Sequence, residues 1–172
     1  PVMGNAKSGC HVSDNIPPLL RDKVVPAADL ITPNQFELGY LTERDVTDLD
    51  STLAAVDAAR EMGPSTVLVT SVERPDAPED VMEMIAVDDK GKWIVRTPRL
   101  PFKRNGSGDV TAALFTGHYL RGGDAADALA RTASSVYDML RLTHEADSQE
   151  LKLVEAQDYY ANPQLQFNVE AL

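Results

Sequence analysis

The stretch Thr66-Val67-Leu68-Val69-Thr70-Ser71 is a continuous run of mostly β-branched residues, typical of a strand that is buried in a parallel sheet. Strand and helix patterns alternate on either side of it. Helices are predicted over 15–25, 34–41, 51–62 (capped by Asp50 or Ser51), 107–120, 125–142 (capped by Asp124) and 148–160. Strands are predicted over 28–32 and 66–71, as a hairpin of 81–87 and 92–98, and as an edge strand within 164–172. This alternation indicates an α/β fold in which helices pack on a mostly parallel sheet.

The composition is that of a single globular domain with a real core. The chain has 172 residues, of which 43% are hydrophobic and 25% are charged. Its net charge of −11 argues against nucleic acid as a partner, because a phosphate backbone would be repelled. No apolar run approaches the roughly 20 residues of a membrane span, so no membrane partner is expected.

Cysteine and histidine are sparse. Cys10 is the single cysteine, which excludes an internal disulfide and suits a reducing, cytoplasmic location. His11, His118 and His144 lack the spacing of zinc ligands.

The opening Pro1-Val2-Met3-Gly4 is typical of an internal segment of a longer chain. We therefore expect residues 1–172 to be the C-terminal portion of one domain, whose missing strands precede Pro1.

Gly106-Ser107-Gly108-Asp109 leads directly into the small-residue helical run 110–117. Glycines allow a close approach of the backbone to an anion, and the free N–H groups and positive dipole at a helix start attract phosphate. A carboxylate at this place could accept the proton of a substrate hydroxyl, an arrangement suited to phosphoryl transfer. A plain turn with Asp109 as the helix N-cap explains the same pattern.

Other candidate site residues follow predicted strands. Asn34 and Glu37 lie three residues apart at a helix start, where Glu37 could hold a Mg²⁺-bound water and Asn34 a phosphate oxygen. A capping box accounts equally for that pair. Thr70 and Ser71 end a strand, where their hydroxyls could meet a nucleotide. Phe102 could cover an adenine, although core or lid packing explains a single aromatic ring as well.

The segments 23–37, 62–71 and 106–109 together resemble the pyridoxal kinase family of the ribokinase-like superfamily. The opening Pro1–Gly4, the stretch 150–154 and the tail 167–172 are similar to that family as well, so the resemblance covers essentially the whole chain. It implies a Rossmann-like α/β sheet and a homodimer. It also implies ATP-dependent phosphorylation of the 5′-hydroxymethyl group of pyridoxal and related vitamers, in vitamin B6 salvage.

Site roles follow from the resemblance by position. It implies that Asp109 is the general base, that Gly106, Ser107 and Gly108 form the anion hole, and that Asn34 and Glu37 belong to the metal–phosphate site. Thr70 and Ser71 fall in the nucleotide site, and Phe102 falls near the adenine. Lys103 and Arg104 are further candidates for a phosphate contact. ATP and Mg²⁺ are the implied cofactors, and the sequence does not decide whether a monovalent cation such as K⁺ is needed.

Two alternatives stay open. Hydroxymethylpyrimidine kinase or another ribokinase-like small-molecule kinase shares the glycine turn, although the pyrimidine enzymes commonly carry Cys at the position of Asp109. A non-catalytic nucleotide-binding or dimerisation module is the alternative from another class. Because the vitamin-ring contacts of the family lie mostly upstream, we expect these 172 residues alone to keep much of the ATP half-site and to turn over weakly or not at all.

Overall fold

The computed structural model describes residues 2–102 and 104–172. The described strands are β1 (Gly4–Asn5), β2 (Gly9–Cys10), β3 (Leu30–Ile31), β4 (Thr66–Val72), β5 (Val81–Asp88), β6 (Gly91–Pro98) and β7 (Val169–Ala171). The described helices are α1 (Ile16–Leu19), α2 (Gln35–Thr42), α3 (Leu49–Glu61), α4 (Ser107–Gly122), α5 (Ala125–Glu145) and α6 (Gln157–Ala161). The helix predicted over 15–25 is split, because α1 passes into a π turn (Leu20–Val24) and a 3-10 turn (Val25–Ala27).

The main sheet is mixed. Its order is β3-β4-β5-β6-β7, and β1 and β2 form a separate small hairpin. Among the described strands only β3 and β4 pair in parallel, whereas β4–β5, β5–β6 and β6–β7 are antiparallel. The α/β class and the β5–β6 hairpin are confirmed, but the expectation of a mostly parallel sheet is wrong for these strands. Residues 73–80 contain no helix, and a parallel return needs a crossover of about a dozen residues or more.

Helices cover both faces of the sheet, as the continuous apolar run in β4 predicts. Val67 and Val69 join a core formed with α2 and α3. Leu68, which points to the other face, joins a second core with α4 and α5. All three side chains are fully buried. The strand therefore runs between two packed layers up to Val69, and Thr70 and the exposed Ser71 follow near its C-terminal end.

Short polar side chains fix where the helices start. Asp124 caps α5 as predicted, because its Oδ1 accepts from the backbone N–H groups of Ala126 (2.9 Å) and Asp127 (3.1 Å). The cap of α3 is Asp48 rather than Asp50 or Ser51. Ser51 is instead the N3 partner in a capping box with Asp48, so the helix begins two residues earlier than the sequence analysis placed it.

The last predicted helix, over 148–160, is reduced to α6. Upstream of it the backbone groups that a helix would use are taken by tertiary contacts. The carbonyl oxygen of Ser148 accepts from Arg104 Nε (2.8 Å), and the N–H of Lys152 donates to Thr143 Oγ1 (3.1 Å). The predicted edge strand is confirmed as β7, which pairs with β6.

None of the helices in the described part of the chain is long and apolar enough to cross a membrane.

Candidate functional site

The Gly106–Asp109 turn opens α4. Gly106 is the N-cap residue and has a φ of 87°, a left-handed conformation that glycine adopts without strain. The first helical hydrogen bond runs from the N–H of Val110 to the carbonyl oxygen of Gly106 (3.0 Å). The amides of residues 107–109 therefore precede the helical ladder. A Cβ added at Gly108 would meet nothing within 4 Å, so the space in front of the turn is open.

Side chains of the turn are ordered around it. The Ser107 hydroxyl donates to the carbonyl oxygen of Arg104 (3.1 Å), and the Thr111 hydroxyl donates to the carbonyl oxygen of Ser107 (2.8 Å). Asp109 is exposed in the first turn of α4, and it is not the N-cap. The alternative that made Asp109 a capping residue is therefore wrong, and its carboxylate is accessible beside the turn.

A cavity of about 690 Å³ lies between the turn, the ends of β4 and β6, and helix α5. Thr70, Ser71, Phe102, Ser107 and Gly108 all line it, so the structure brings five of the predicted site residues together.

The described cavity lining carries basic side chains and no acidic one, in an acidic protein. Its described lining residues include Lys7, Arg99 and Arg104 and include neither aspartate nor glutamate. The chain as a whole has a net charge of −11. Arg99 is held in place by an ion pair with Glu73 (2.8 Å). A concave site with this charge favours an anionic ligand.

Aromatic stacking orders the segment that leads into the turn. The Phe102 ring stacks on His144, with centroids 4.9 Å apart and an interplanar angle of 11°. The Arg104 guanidinium carbon lies 5.0 Å from the centroid of Phe102, within range of a cation–π contact. Phe102 therefore lines the cavity as part of a packed cluster rather than as an isolated ring.

Ser71 has an unusual backbone. Its φ is 54°, although it is not glycine, and the register between β4 and β5 shifts between Val69 and Val72. Left-handed conformations are uncommon for residues other than glycine and recur at binding sites. The bulge directs this exposed serine to the cavity.

Asn34 and Glu37 form the capping box that the sequence analysis gave as the alternative. Asn34 Oδ1 accepts from the N–H of Glu37 (2.9 Å), and Glu37 Oε2 accepts from the N–H of Asn34 (3.0 Å). The pair also anchors the β1 segment, because Glu37 Oε1 accepts from Met3 N–H (2.8 Å) and Asn34 Nδ2 donates to the Gly4 carbonyl oxygen (2.9 Å). Glu37 is 4% exposed.

Four predicted residues stand apart from the described cavity lining: Asn34, Glu37, Gly106 and Asp109. Gly106 borders a second hollow of about 530 Å³ together with Arg104 and Asn105. Lys103 lies outside the described residues. Sequence reasoning missed Lys7 and Arg99. The cluster of basic residues over 99–104 in an acidic chain could have indicated Arg99, whereas nothing in the sequence pattern indicated Lys7.

Comparisons with known proteins give the family. The phosphomethylpyrimidine kinase model matches residues 1–153. The chain is 68% identical over 172 residues to the pyridoxal kinase PdxY of Corynebacterium diphtheriae. This match covers 100% of this chain and 61% of that protein. It is 69% identical over 169 residues to the pyridoxal kinase PdxY of Leifsonia xyli. This second match covers 98% of this chain and 60% of that protein. The chain thus spans about three fifths of the length of these curated relatives.

The fold matches a solved structure as well. Pyridoxal kinase from Leishmania donovani in complex with ADP and pyridoxine superposes with a TM-score of 0.87 at 23% identity, over 99% of this chain and 60% of that one. This likeness shows the fold, and it agrees with the ribokinase-like architecture that the sequence implied. Since the family model matches most of its residues, the chain belongs to the phosphomethylpyrimidine kinase family, and its resemblance to the pyridoxal kinases is confirmed.

Proposed function

We propose that this chain carries the ATP-binding half of a kinase that phosphorylates the 5′-hydroxymethyl group of pyridoxal and related B6 vitamers. The observation that carries the proposal is the cavity at the Gly106–Asp109 turn, whose described lining has three cations and no carboxylate in an acidic protein. A polyphosphate is the ligand that suits this charge and the start of a helix. The relatives named pyridoxal kinase support the vitamer as the acceptor.

The turn and Asp109 share the chemistry in this proposal. The amides of Ser107 and Gly108 hold the γ-phosphoryl group and stabilise the charge that it carries during transfer. The exposed Asp109 carboxylate accepts the proton of the substrate hydroxyl. As that proton leaves, the hydroxyl oxygen bonds to the γ-phosphorus. The bond from phosphorus to the bridging oxygen breaks, and ADP departs with the electron pair.

The rest of the cavity is assigned to the nucleotide. Thr70 and Ser71 contact its phosphates or ribose, and the Phe102 cluster borders the adenine. Arg104 supplies positive charge beside the turn.

Magnesium fits this site as a companion of ATP rather than as an ion in a protein cage. No group of three or more His, Cys, Asp or Glu side chains in the described part of the chain could hold a metal ion. Mg²⁺ commonly binds through substrate phosphates and waters with one or two carboxylates. We assign Glu37 a contact with a metal-bound water and Asn34 a contact with a phosphate or such a water. Glu37 would use the carboxylate lone pairs that its bonds from Asn34 and Met3 leave. Asn34 would donate its second Nδ2 hydrogen to a phosphate oxygen, or accept from a water at its second Oδ1 lone pair.

The proposal also covers the oligomeric state, the location and the activity of this chain. We propose a cytoplasmic homodimer, and we propose that these 172 residues alone turn over weakly or not at all, since they span about three fifths of their pyridoxal kinase relatives. Light scattering tests the dimer.

A second acceptor class is favoured by one observation, the family model described as phosphomethylpyrimidine kinase. The test is a panel of acceptors with Mg-ATP and the protein that carries this chain, expressed at full length. Pyridoxal phosphate formation, followed by its absorbance, is the expected result. Phosphorylation of a hydroxymethylpyrimidine or a sugar, with none of pyridoxal, would keep the kinase and overturn the substrate. Tight Mg-ATP binding with no transfer to any acceptor would favour a non-catalytic nucleotide-binding module.

A further inference from the structure

The side chain of Gln35, the first residue of α2, is hydrogen-bonded to the chain just beyond β4. Its Nε2 donates to the carbonyl oxygen of Glu73 (3.1 Å), and its Oε1 accepts from the N–H of the same residue (2.7 Å). A third bond runs from Nε2 to the carbonyl oxygen of Val46 (2.9 Å). The amide thus pairs with both backbone groups of Glu73, as a peptide of a neighbouring strand would.

The residues before Glu73 are also fixed to the start of α2. The N–H of Thr70 donates to the carbonyl oxygen of Pro33 (3.0 Å), and Asn34 and Thr70 form an isolated parallel bridge. Pairing that begins between β3 and β4 is therefore continued by main chain at Thr70 and by the Gln35 side chain at Glu73. Two anchors, three residues apart, both belong to the segment 33–35.

Ser71 lies between these two anchors. Its φ of 54° is a conformation that a residue with a Cβ keeps only where its surroundings determine it. The anchors do this, because they leave residues 71 and 72 a fixed distance to span while β4 shifts its register against β5. Ser71 lines the cavity, whereas Gln35 is not among the described residues that line it.

We propose that Gln35 is a positioning residue. By holding Glu73 it keeps Ser71 in the left-handed conformation and so presents the Ser71 hydroxyl to the nucleotide. This inference rests on the proposed function of the cavity as the ATP site. It gives the first polar side chain of α2 a task that differs from the capping task of Asn34 and Glu37.

The test is the KM for ATP of Gln35→Ala in the full-length protein, with pyridoxal as acceptor. We expect a rise of about three- to tenfold, the effect of losing about one hydrogen bond to the ligand. The KM for pyridoxal should stay within about twofold, because Gln35 acts on the nucleotide side only. Gln35→Glu keeps the acceptor for the Glu73 N–H and loses the donor bonds. Its KM for ATP should therefore lie between that of the wild type and that of Gln35→Ala.

Gln157→Ala is the matched control. Gln157 Nε2 also donates to a backbone carbonyl, that of Val154 (2.8 Å), but in α6 and away from the cavity. Its KM for ATP should equal that of the wild type. If the two glutamine variants behave alike, or if Gln35→Ala raises both KM values equally, the proposal is overturned.

A Ser71→Gly background separates positioning from general destabilisation. Without the hydroxyl there is nothing left to position, so adding Gln35→Ala should change the KM for ATP by less than about twofold. An unchanged penalty in that background would overturn the role of Gln35. Absence of ATP binding by the wild type would instead remove the proposed function itself, which keeps the two failures distinguishable.

Discussion

The buried carboxylate of Glu83 allows a prediction whose size can be worked out from the structure. Glu83 lies on β5 and is 1% exposed. Arg74 donates to both of its oxygens, from Nε (2.7 Å) and from Nη2 (2.9 Å), and Arg96 Nε adds a third bond (2.9 Å). Arg74 is itself 8% exposed at its side chain. The three groups tie the loop after β4 to strands β5 and β6.

We expect Glu83→Gln to lower the free energy of unfolding by about 3 kcal/mol. Removing one partner of a buried ion pair typically costs about 3–5 kcal/mol, because the remaining charge is left desolvated. The lower end applies here, since the Arg96 side chain is 37% exposed and Arg74 keeps an ion pair with Asp76 (2.7 Å). For a chain of this length about 3 kcal/mol corresponds to a fall in Tm of roughly 6–12 °C, measurable by calorimetry or circular dichroism.

The difference in stability between the wild type and Glu83→Gln should depend on pH, and the structure determines the direction. Burial alone would raise the pKa of Glu83, but the hydrogen bonds from Arg74 and Arg96, with their positive charge, outweigh it and hold the pKa below its ordinary value. A lowered folded-state pKa gives stability that is complete above the unfolded pKa of about 4.3 and is lost as the pH falls through the folded value. The gap in Tm between wild type and Glu83→Gln should therefore be full at pH 6 and shrink below about pH 4.

Glu61→Gln is the matched control, since Glu61 is an exposed glutamate in α3. Its stability should lie within about 0.5 kcal/mol of the wild type. A fall in Tm of less than about 2 °C for Glu83→Gln, or a gap that widens toward low pH, would refute this reasoning.

Three further predictions concern a buried carboxylate, a metal and a ligand. Asp88 is buried and accepts from the N–H groups of Lys90 (2.7 Å), Gly91 (3.2 Å) and Ala125 (3.2 Å), so Asp88→Ala should lower stability by about 2 kcal/mol in urea unfolding. A loss below about 0.5 kcal/mol would show that water replaces these bonds. Glu37→Gln should raise the Mg²⁺ concentration for half-maximal activity; unchanged Mg²⁺ dependence would leave Glu37 with only its structural bonds to Asn34 and Met3. Mg-ATP at about 100 times its Kd should stabilise the protein by about 2.7 kcal/mol in thermal melts, and an unshifted melt would contradict nucleotide binding.

Local patterns in the sequence predicted most of the secondary structure. The buried run of β4, the hairpin of β5 and β6, and the Asp124 cap each depend on neighbours in the chain, and the structure confirms them. Whether neighbouring strands pair in parallel or antiparallel depends on tertiary contacts. So does the absence of the predicted helix over residues 148–156. The bond from Arg104 to Ser148 spans 44 residues, and no local pattern indicates it.

In the candidate site too, the local motifs were predicted and the features that depend on tertiary contacts were not. The glycine turn and the strand end at Thr70 and Ser71 were visible as motifs, and the structure brings them to one cavity. The left-handed backbone of Ser71 was not visible, because it arises from a register shift between two strands. The charge of Lys7 reaches the cavity only through the β1–β2 hairpin, which the sequence analysis did not predict.

The role of Asp109 is the central claim, and the measurement that tests it most directly compares wild type with Asp109→Asn in the full-length protein. Pyridoxal phosphate formation from pyridoxal and Mg-ATP is followed by absorbance, and the Kd for ATP is measured by calorimetry on the same samples. We predict a fall in kcat of about 10²–10⁴-fold, the usual worth of a general base, while the Kd for ATP stays within about threefold. A kcat within about threefold of the wild type would contradict the account, because the carboxylate would then not accept the substrate proton.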